Sequence, residues 1–425
     1  MSDDDWIGQL PLTWATTRLG ALGTFSKGSG GSKEDNRDTG VPVIRYGELY
    51  SKFDRIIREP VSFIDMEASA RYTPLSPGSL IFAASGEDSE EIGKSALSQI
   101  PAPAFVGGDS VIFTPRVNAV DPVYLTYVLD SKPLRSYKAI RATGFTVVHI
   151  SANKLKTLPI PLPSSDEQRV IVEYLDQETA QIDALVARQK EFVVLLRERR
   201  RAALESAVTG VKPSGPRLKH VVRSVRQGWS PQCYAWPADG IEKWAVLKAG
   251  AANGGVFRQM ENKELPAGET PRLGIVVRAG DLVVSRANTR DLVGSAAVVD
   301  RDYPRLMLSD KLYAFDLDRS RALPHFVAVV LGSRRWRDLI EIEATGTSSS
   351  MLNISQNDIV NLPMSLPAVH EQRSILAALD AQISRIDTLI AKAEEHIALA
   401  KERRAALITA AVTGQFDVRT AIRGA

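Results

Sequence analysis

Apolar side chains recur at steps of three, four and seven along two stretches of this chain, with polar residues between them. From Asp166 to Gly210 the apolar seam reads Ile171, Leu175, Ile182, Leu185, Phe192, Leu196 and Ala203. From His370 to Gly414 it reads Ile375, Leu379, Ile386, Leu389, Ala393, Ala400 and Leu407. Such spacing makes one stripe on a helix, and several heptads in succession predict a coiled-coil seam. Pro163 and Pro367 lie just before the two starts, and Gly210 and Gly414 at the two ends, as helix punctuation requires. A continuous helix over this length spans roughly 60 Å at about 1.5 Å per residue. Glu178, Gln189, Gln382 and His396 fall on the seam as well, where polar groups weaken packing and fix register. The run Phe192-Val193-Val194-Leu195-Leu196 is apolar on every face. Such a helix is normally covered on more than one side, which predicts a further partner there. A helix pair buried against its own chain is the alternative.

The two stretches align without a gap, Glu167-Gln168-Arg169 on Glu371-Gln372-Arg373 and Ala207-Val208-Thr209-Gly210 on Ala411-Val412-Thr413-Gly414. The segments before them also repeat. Arg18-Leu19 matches Arg217-Leu218, and the strand-like runs Val41 to Arg45 and Trp244 to Lys248 match each other. Ser76 to Leu97 matches Arg278 to Val299, each reading as strand, loop, strand. Asp109 to Phe113 matches Asp310 to Ala314, and a helix-like stretch follows in each, Pro122 to Ile140 and Pro324 to Glu341. The closing segments are Ala142 to Pro163 and Ala344 to Pro367. A period this long is a duplicated module rather than a solenoid array. The division is 1–164, a head; 165–210, a helix; 211–368, a second head; 369–415, a second helix; and 416–425, a tail. Many short strands with a few helices predict α+β heads. Domain termini often lie close together. The second head then returns the chain to where the first helix stopped, so the second helix runs back antiparallel.

Composition narrows the function. A 44% hydrophobic content builds real cores, and a single cysteine, Cys233, excludes an internal disulfide and a cysteine-rich zinc site. Five histidines show no ligand spacing. The opening Met1-Ser2-Asp3-Asp4-Asp5 is unlike a signal peptide, and no apolar run approaches a membrane span, which predicts a cytoplasmic protein without a metal and without membrane partners. The net charge is +3, and only residues 211–368 are clearly basic, with 21 basic against 16 acidic side chains. That bias hints at a polyanion.

Catalytic signatures are sparse. Gly86 through Gly93-Lys94-Ser95 resembles a phosphate loop but has six residues between its glycines instead of four, and the matching Val293-Gly294-Ser295 lacks the lysine. A tight turn between strands is the plainer reading; a nucleotide-dependent enzyme using Lys94 and Ser95 is the competing one, and a purely structural coiled-coil spacer is another. No dinucleotide fingerprint, nucleophile elbow or amino-methyltransferase signature is present, so no catalytic residue is assigned. The loops instead carry groups that read base edges or phosphates. In the first head these are Lys27, Ser29, Arg45, Ser85, Lys94, Thr143 and Thr146. In the second they are Gln227, Trp229, Lys248, Arg286, Asn288, Arg290, Thr347, Ser348 and Ser349. Glu87, Asp88, Glu90 and Glu91 crowd the first head's loop and repel phosphate.

The paired pattern resembles the specificity subunit of type I restriction-modification systems. The residues that carry it are PGSLIFAASG…IGKSAL and AGDLVVSRAN…VGSAAVV, the two ATG-led closings, and the Glu-Gln-Arg helices that end Ala-Val-Thr-Gly. The longer acidic loop and the missing lysine after Gly294 depart from a strict repeat. The resemblance implies two pseudo-two-fold-related target-recognition domains joined by two long antiparallel coiled-coil helices. Each domain would read one half of a split, asymmetric target in double-stranded DNA. The chain itself would be non-catalytic and bind no cofactor. Methyltransferase subunits, two per chain, would supply S-adenosylmethionine chemistry, and restriction subunits would bring ATP and Mg. Phe192, Val193, Val194 and Leu195, with Ile397 and Leu399, would form the docking surface for the methyltransferase subunits.

Overall fold

The computed structural model of the chain describes residues 10–348 and 351–423. They form two compact units, Met1–Lys190 with Glu394–Ala425, and Glu191–Ala393. Each unit holds one head. Two long helices, Ser165–Ala207 and Val369–Val412, each contribute a part to each unit.

The first head is built on a five-stranded sheet in the order Gly23–Lys27, Ser110–Pro115, Leu80–Ala83, Ser95–Ser98, Ile56–Ile57. The second head has a four-stranded counterpart, Val222–Gln227, Leu312–Leu317, Leu282–Ser285, Ala296–Val298. The unbroken apolar run of the third strand in each order follows from its place between two cores. Leu80 and Phe82 pack with the head helices, while Ile81 and Ala83 face a second sheet that includes Val41–Ile44 and Phe105–Val106. Leu282 and Val284 divide from Val283 in the same way. A strand buried on both faces loses the alternation of a half-exposed one.

The stretch expected as one helix from Pro122 is two, Pro122–Asp130 and Lys132–Arg141. Its counterpart likewise splits into Pro324–Gly332 and Arg334–Glu343. A serine makes each break. Ser131 and Ser333 adopt extended backbone, and their hydroxyls donate to the Val128 and Val330 carbonyls at 2.6 and 2.7 Å, ending the preceding helix.

The Glu-Gln-Arg motif is a joint. Glu167 accepts from the Ser164 amide at 3.0 Å, and Glu371 from the Ala368 amide at 3.0 Å, so each caps the first turn of its long helix. The glutamines are buried, at 4% and 0% exposure. Gln168 accepts from the Asp121 amide at 2.8 Å and donates to the Pro163 carbonyl at 2.9 Å. Gln372 accepts from the Leu323 amide at 2.8 Å and donates to the Pro367 and Arg321 carbonyls at 2.8 and 2.9 Å. Asp121 and Leu323 are the residues that open the first head helix in each unit. The far end of the other long helix supplies a second grip: Thr409 on the Lys132 amide at 3.2 Å, and Glu205 on the Arg334 amide at 2.7 Å.

The long helices run antiparallel within each unit. In the first, Arg404 pairs with Asp183 at 3.0 Å, and Arg419, past the end of the second long helix, pairs with Glu167 at 2.6 Å. In the second, Arg200 pairs with Asp387 at 3.0 Å. The repeat maps Asp183 onto Asp387 and Arg200 onto Arg404, so the two units use one ion pair with its donor and acceptor helices exchanged.

The seam differs from expectation on one flank. Ile171, Leu175, Ile182, Leu196 and Ala203 are buried, as are Leu379, Ile386 and Ala393. Leu185, Phe192 and Leu389 are 47%, 42% and 44% exposed, and Val186 and Val193 are buried in place of the first two. Steps of three then four, or four then three, both thread a heptad from Ile182 to Leu196. The helices close on the compact β-branched valines and leave the bulkier neighbours outside. Val193 therefore belongs to the seam and is not available to a partner. Phe192, Val194, Leu195 and Leu399 are exposed and Ile397 is half-buried. The C-terminal segment, expected as a tail, forms a helix over Val418–Arg423; Val418 joins the first unit's core, and Phe416 packs edge-on against Tyr174. Among the described residues, no helix is long and apolar enough to cross a membrane.

Replacing Gln372 by leucine leaves two or three buried backbone groups without a partner. Each orphan costs about 1–3 kcal/mol. The urea unfolding midpoint should fall clearly, and Gln168→Leu should lower it by a similar amount; an unchanged midpoint for either variant contradicts the joint.

Candidate nucleic-acid interface

In the first unit the central strand continues past Ala84 into Ser85–Gly86, which pairs with Val148–His149. The partner strand belongs to a tight hairpin. Thr143 and His149 exchange two backbone hydrogen bonds, 2.9 and 2.7 Å. Gly144 sits at φ +124°, and a side chain there would fall 2.0 Å from the Val147 carbonyl oxygen, so only glycine closes this loop. Below the hairpin lies a cleft of about 400 Å³ lined by Lys27, Ser85, Asp109, Thr143, His149 and Lys154. The buried Ser85 hydroxyl lies 2.8 Å from His149 Nδ1 and donates to Asp109 at 3.3 Å. The serine stands between the acid and the imidazole. No acid orients the histidine as a base, so this is not a nucleophilic triad. Lys154 Nζ donates to the Thr143 hydroxyl at 3.4 Å.

Of the first head's expected readers, the structure brings Lys27, Ser85 and Thr143 to this one cleft, and Thr146 is exposed on the same hairpin. Ser29 is exposed, with its hydroxyl held 3.0 Å from both the Arg71 carbonyl and the Thr73 hydroxyl. Arg45 lines a separate cleft with Asn36, to which it hydrogen-bonds. Lys94 lies in a third pocket, among Asp54, Glu90, Glu91 and Asp130. His149 and Lys154 were missed as candidates. Their one signal was position, inside and just past the ATG-led closing.

The second unit repeats the arrangement with other side chains. Ala287–Asn288 pairs with Met351–Asn353, which pairs in turn with Thr345–Ser348. Asn288 donates to Asn253 at 3.2 Å and to the buried Ser285 at 3.3 Å. Arg286 donates to the Asp310 carbonyl at 3.2 Å, and Arg290 pairs with Glu341. Gln227 accepts from Gln356 at 3.3 Å. Trp229 is half-buried with the Arg272 guanidinium 4.0 Å over its ring, and Lys248 is half-buried. The Thr347 and Ser348 side chains and all of Ser349 lie outside the described residues.

Residues 11–192 match the type I restriction modification DNA specificity domain. Along nearly the whole length, 97% of this chain and 91% of the relative, the sequence is 23% identical to the type I restriction enzyme EcoKI specificity subunit of Escherichia coli strain K12. A shorter stretch of 164 residues is 30% identical to the EcoEI specificity subunit of Escherichia coli and spans 28% of that protein. Residues 11–192 thus carry the DNA specificity domain of type I restriction modification, and the rest of the chain is similar to specificity subunits. The chain's fold is that of a structure describing assembly and conformational transition of a type I R-M system, with a TM-score of 0.68 at 20% identity over 96% of this chain and 100% of that one. The HsdS subunit from Thermoanaerobacter tengcongensis gives a TM-score of 0.53 at 20% identity, covering 98% of this chain and all of its own.

In this specificity-subunit fold the Gly93-Lys94-Ser95 segment is a clamped turn. Gly93 has φ +69° and leads into the strand Ser95–Ser98, whereas a phosphate loop opens a helix. The buried Lys138 Nζ donates to the Gly93 carbonyl at 2.8 Å and to the Leu129 carbonyl at 3.1 Å. In the second unit Gly294 has φ +70°, and Arg337 donates to the adjacent Val293 carbonyl. Both heads thus hold this turn with a cation from the second head helix. The acids in the pocket around Lys94 are matched by Arg135, Lys138 and Arg404, so it offers no excess of positive charge to a nucleotide phosphate.

Burial pulls the Lys138 ammonium down to about 8, partly offset by Asp130 and reinforced by Arg135. Burial pushes the Asp130 carboxyl up from the usual range. A lysine whose folded pKa lies below its unfolded value costs stability while charged in the fold. Stability should therefore rise as pH climbs from about 8 toward the unfolded value. Lys138→Met removes this increment. The test is the urea midpoint between about pH 8 and 10.5, the window named by that shift; equal slopes for the two proteins contradict a depressed Lys138.

Proposed function

We propose that this chain is the non-catalytic DNA-reading subunit of a type I restriction-modification complex. Each head reads one half of a split, asymmetric target. The paired helices set the gap between the halves and dock the methyltransferase subunits, which carry out adenine methylation; restriction subunits cleave. S-adenosylmethionine, ATP and Mg belong to those partners.

The observation that carries this reading is the duplicated joint. Both heads hang from the same glutamine hinge and project the same strand-exit and hairpin surface, yet the side chains on those surfaces differ. Two readers on one scaffold are what a bipartite target requires. The exposed Phe192, Val194, Leu195 and Leu399 are apolar groups left outside the seam, suited to a protein partner. The half-buried Ile397 adds to them.

Exchange of residues 216–366 for the matching domain of another family member, followed by methylation mapping of host DNA, tests modular reading. One half of the methylated motif should change while the other half and the gap stay fixed. A change in both halves contradicts it.

A further inference from the structure

The hairpin over the first head's cleft carries a residue that neither packing nor hydrogen bonding explains. Phe145, at its tip, is 105% exposed, and Val147 beside it is 44% exposed. The ring is not on a loose loop. The Thr143–His149 hydrogen bonds and the left-handed Gly144 fix the loop's path, and Val148, 8% exposed, anchors it in the core. An aromatic ring held rigidly in water is unfavourable for a free protein and favourable only with something to cover it.

The surroundings say what covers it. From Ala142 to Lys156 there is no carboxylate, and the segment holds His149, Lys154 and Lys156 with the Thr143 and Thr146 hydroxyls. Lys27 completes the basic rim of the cleft below. Glu87 and Asp88 follow the strand Ser85–Gly86, which pairs with the hairpin, and disfavour a phosphate on that side. Asp109 sits within the cleft, bonded to Ser85. One ring with one valine is also far below the roughly 800 Å² per partner that a stable protein interface buries. A single apolar point among cations and hydroxyls suits a nucleic-acid duplex, where such a point enters between base pairs and unstacks a step.

We propose that Phe145 is a wedge that unstacks one base step in the half-site read by the first head. This rests on the DNA-reading role above. The segment that the repeat aligns with it, Thr347-Ser348-Ser349-Ser350, has no aromatic in its sequence. The wedge would add the energy of deforming one step to the hydrogen-bond reading of the first half-site.

The test uses the assembled complex with its methyltransferase subunits, on duplexes of the mapped target with 2-aminopurine moved through the first half-site. Wild-type binding should raise the fluorescence at one step. Phe145→Ala should abolish that rise and weaken target binding about tenfold, the scale of losing one aromatic–base stack. Phe145→Trp should keep both properties. A mismatch placed at that step should return affinity to the alanine variant, since the step is then already unstacked. Unchanged fluorescence and affinity in Phe145→Ala overturn the wedge and leave DNA reading intact. So does loss of the methyltransferase subunits with DNA affinity unchanged, which makes the ring a protein contact. A wild-type complex that does not discriminate its target overturns the DNA-reading role, and the wedge with it.

Discussion

A buried amide decides how each head meets its helix. Gln168 and Gln372 are sealed from water, and an amide in such a site must be satisfied on both its oxygen and its nitrogen. The oxygen takes the amide that opens the first head helix, and the nitrogen takes the carbonyl just before the long helix. Those partners lie on different elements, so the side chain is satisfied in only one relative placement of head and helix. The glutamate one position earlier caps the same turn. The adjacency of these two residues is therefore mechanical: one starts the helix, the other ties that start to the head.

The ion pairs between the long helices do a different job. Asp183–Arg404 and Asp387–Arg200 have about half of each carboxylate side chain in solvent. Pairs that exposed contribute little to stability, in the range of about 0–1 kcal/mol. Their value is in register. The seam is polar or small at Thr179, Gln189, Ala203 and Ala393, so apolar packing alone discriminates weakly between alignments. A slip by one turn would separate both pairs. Arg404 is the more constrained of the two arginines, since it also meets Asp54 at 3.1 Å and Asp130 at 3.9 Å.

How legible these features were in the sequence follows from their range. The long helices, their punctuation and their duplication were legible because a heptad is a local pattern and a gapless repeat needs no structure. The antiparallel sense was legible from connectivity. The buried flank was not: Leu185 and Val186, like Phe192 and Val193, offer two threads of equal periodicity, and only the facing helix chooses between them. The paired strands were legible where apolar runs marked them. The broken head helices were not, because the break comes from a serine hydroxyl folding back on its own turn, as serine does in many unbroken helices. For the interface, Lys27, Ser85 and Thr143 were legible as polar loop residues, but their convergence is long-range. The Gly93 turn, similar to a phosphate loop by composition, is decided by Lys138, far along the chain.

The clamps beneath the reading strands explain how one scaffold accommodates two different surfaces. Lys138 and Arg337 bond main-chain carbonyls, and the hairpins are set by Gly144 and by strand pairing. The backbone of this strand-exit and hairpin surface is thus fixed by groups that bond main chain. Side chains at Ser85, Thr143 and His149 in one head, and at Asn288 and Asn353 in the other, then differ without altering the frame that presents them. Such a separation lets the side chains of the surface change while its backbone stays in place. The same separation explains why a ring as exposed as Phe145 is compatible with the fold: the frame below it is complete without it.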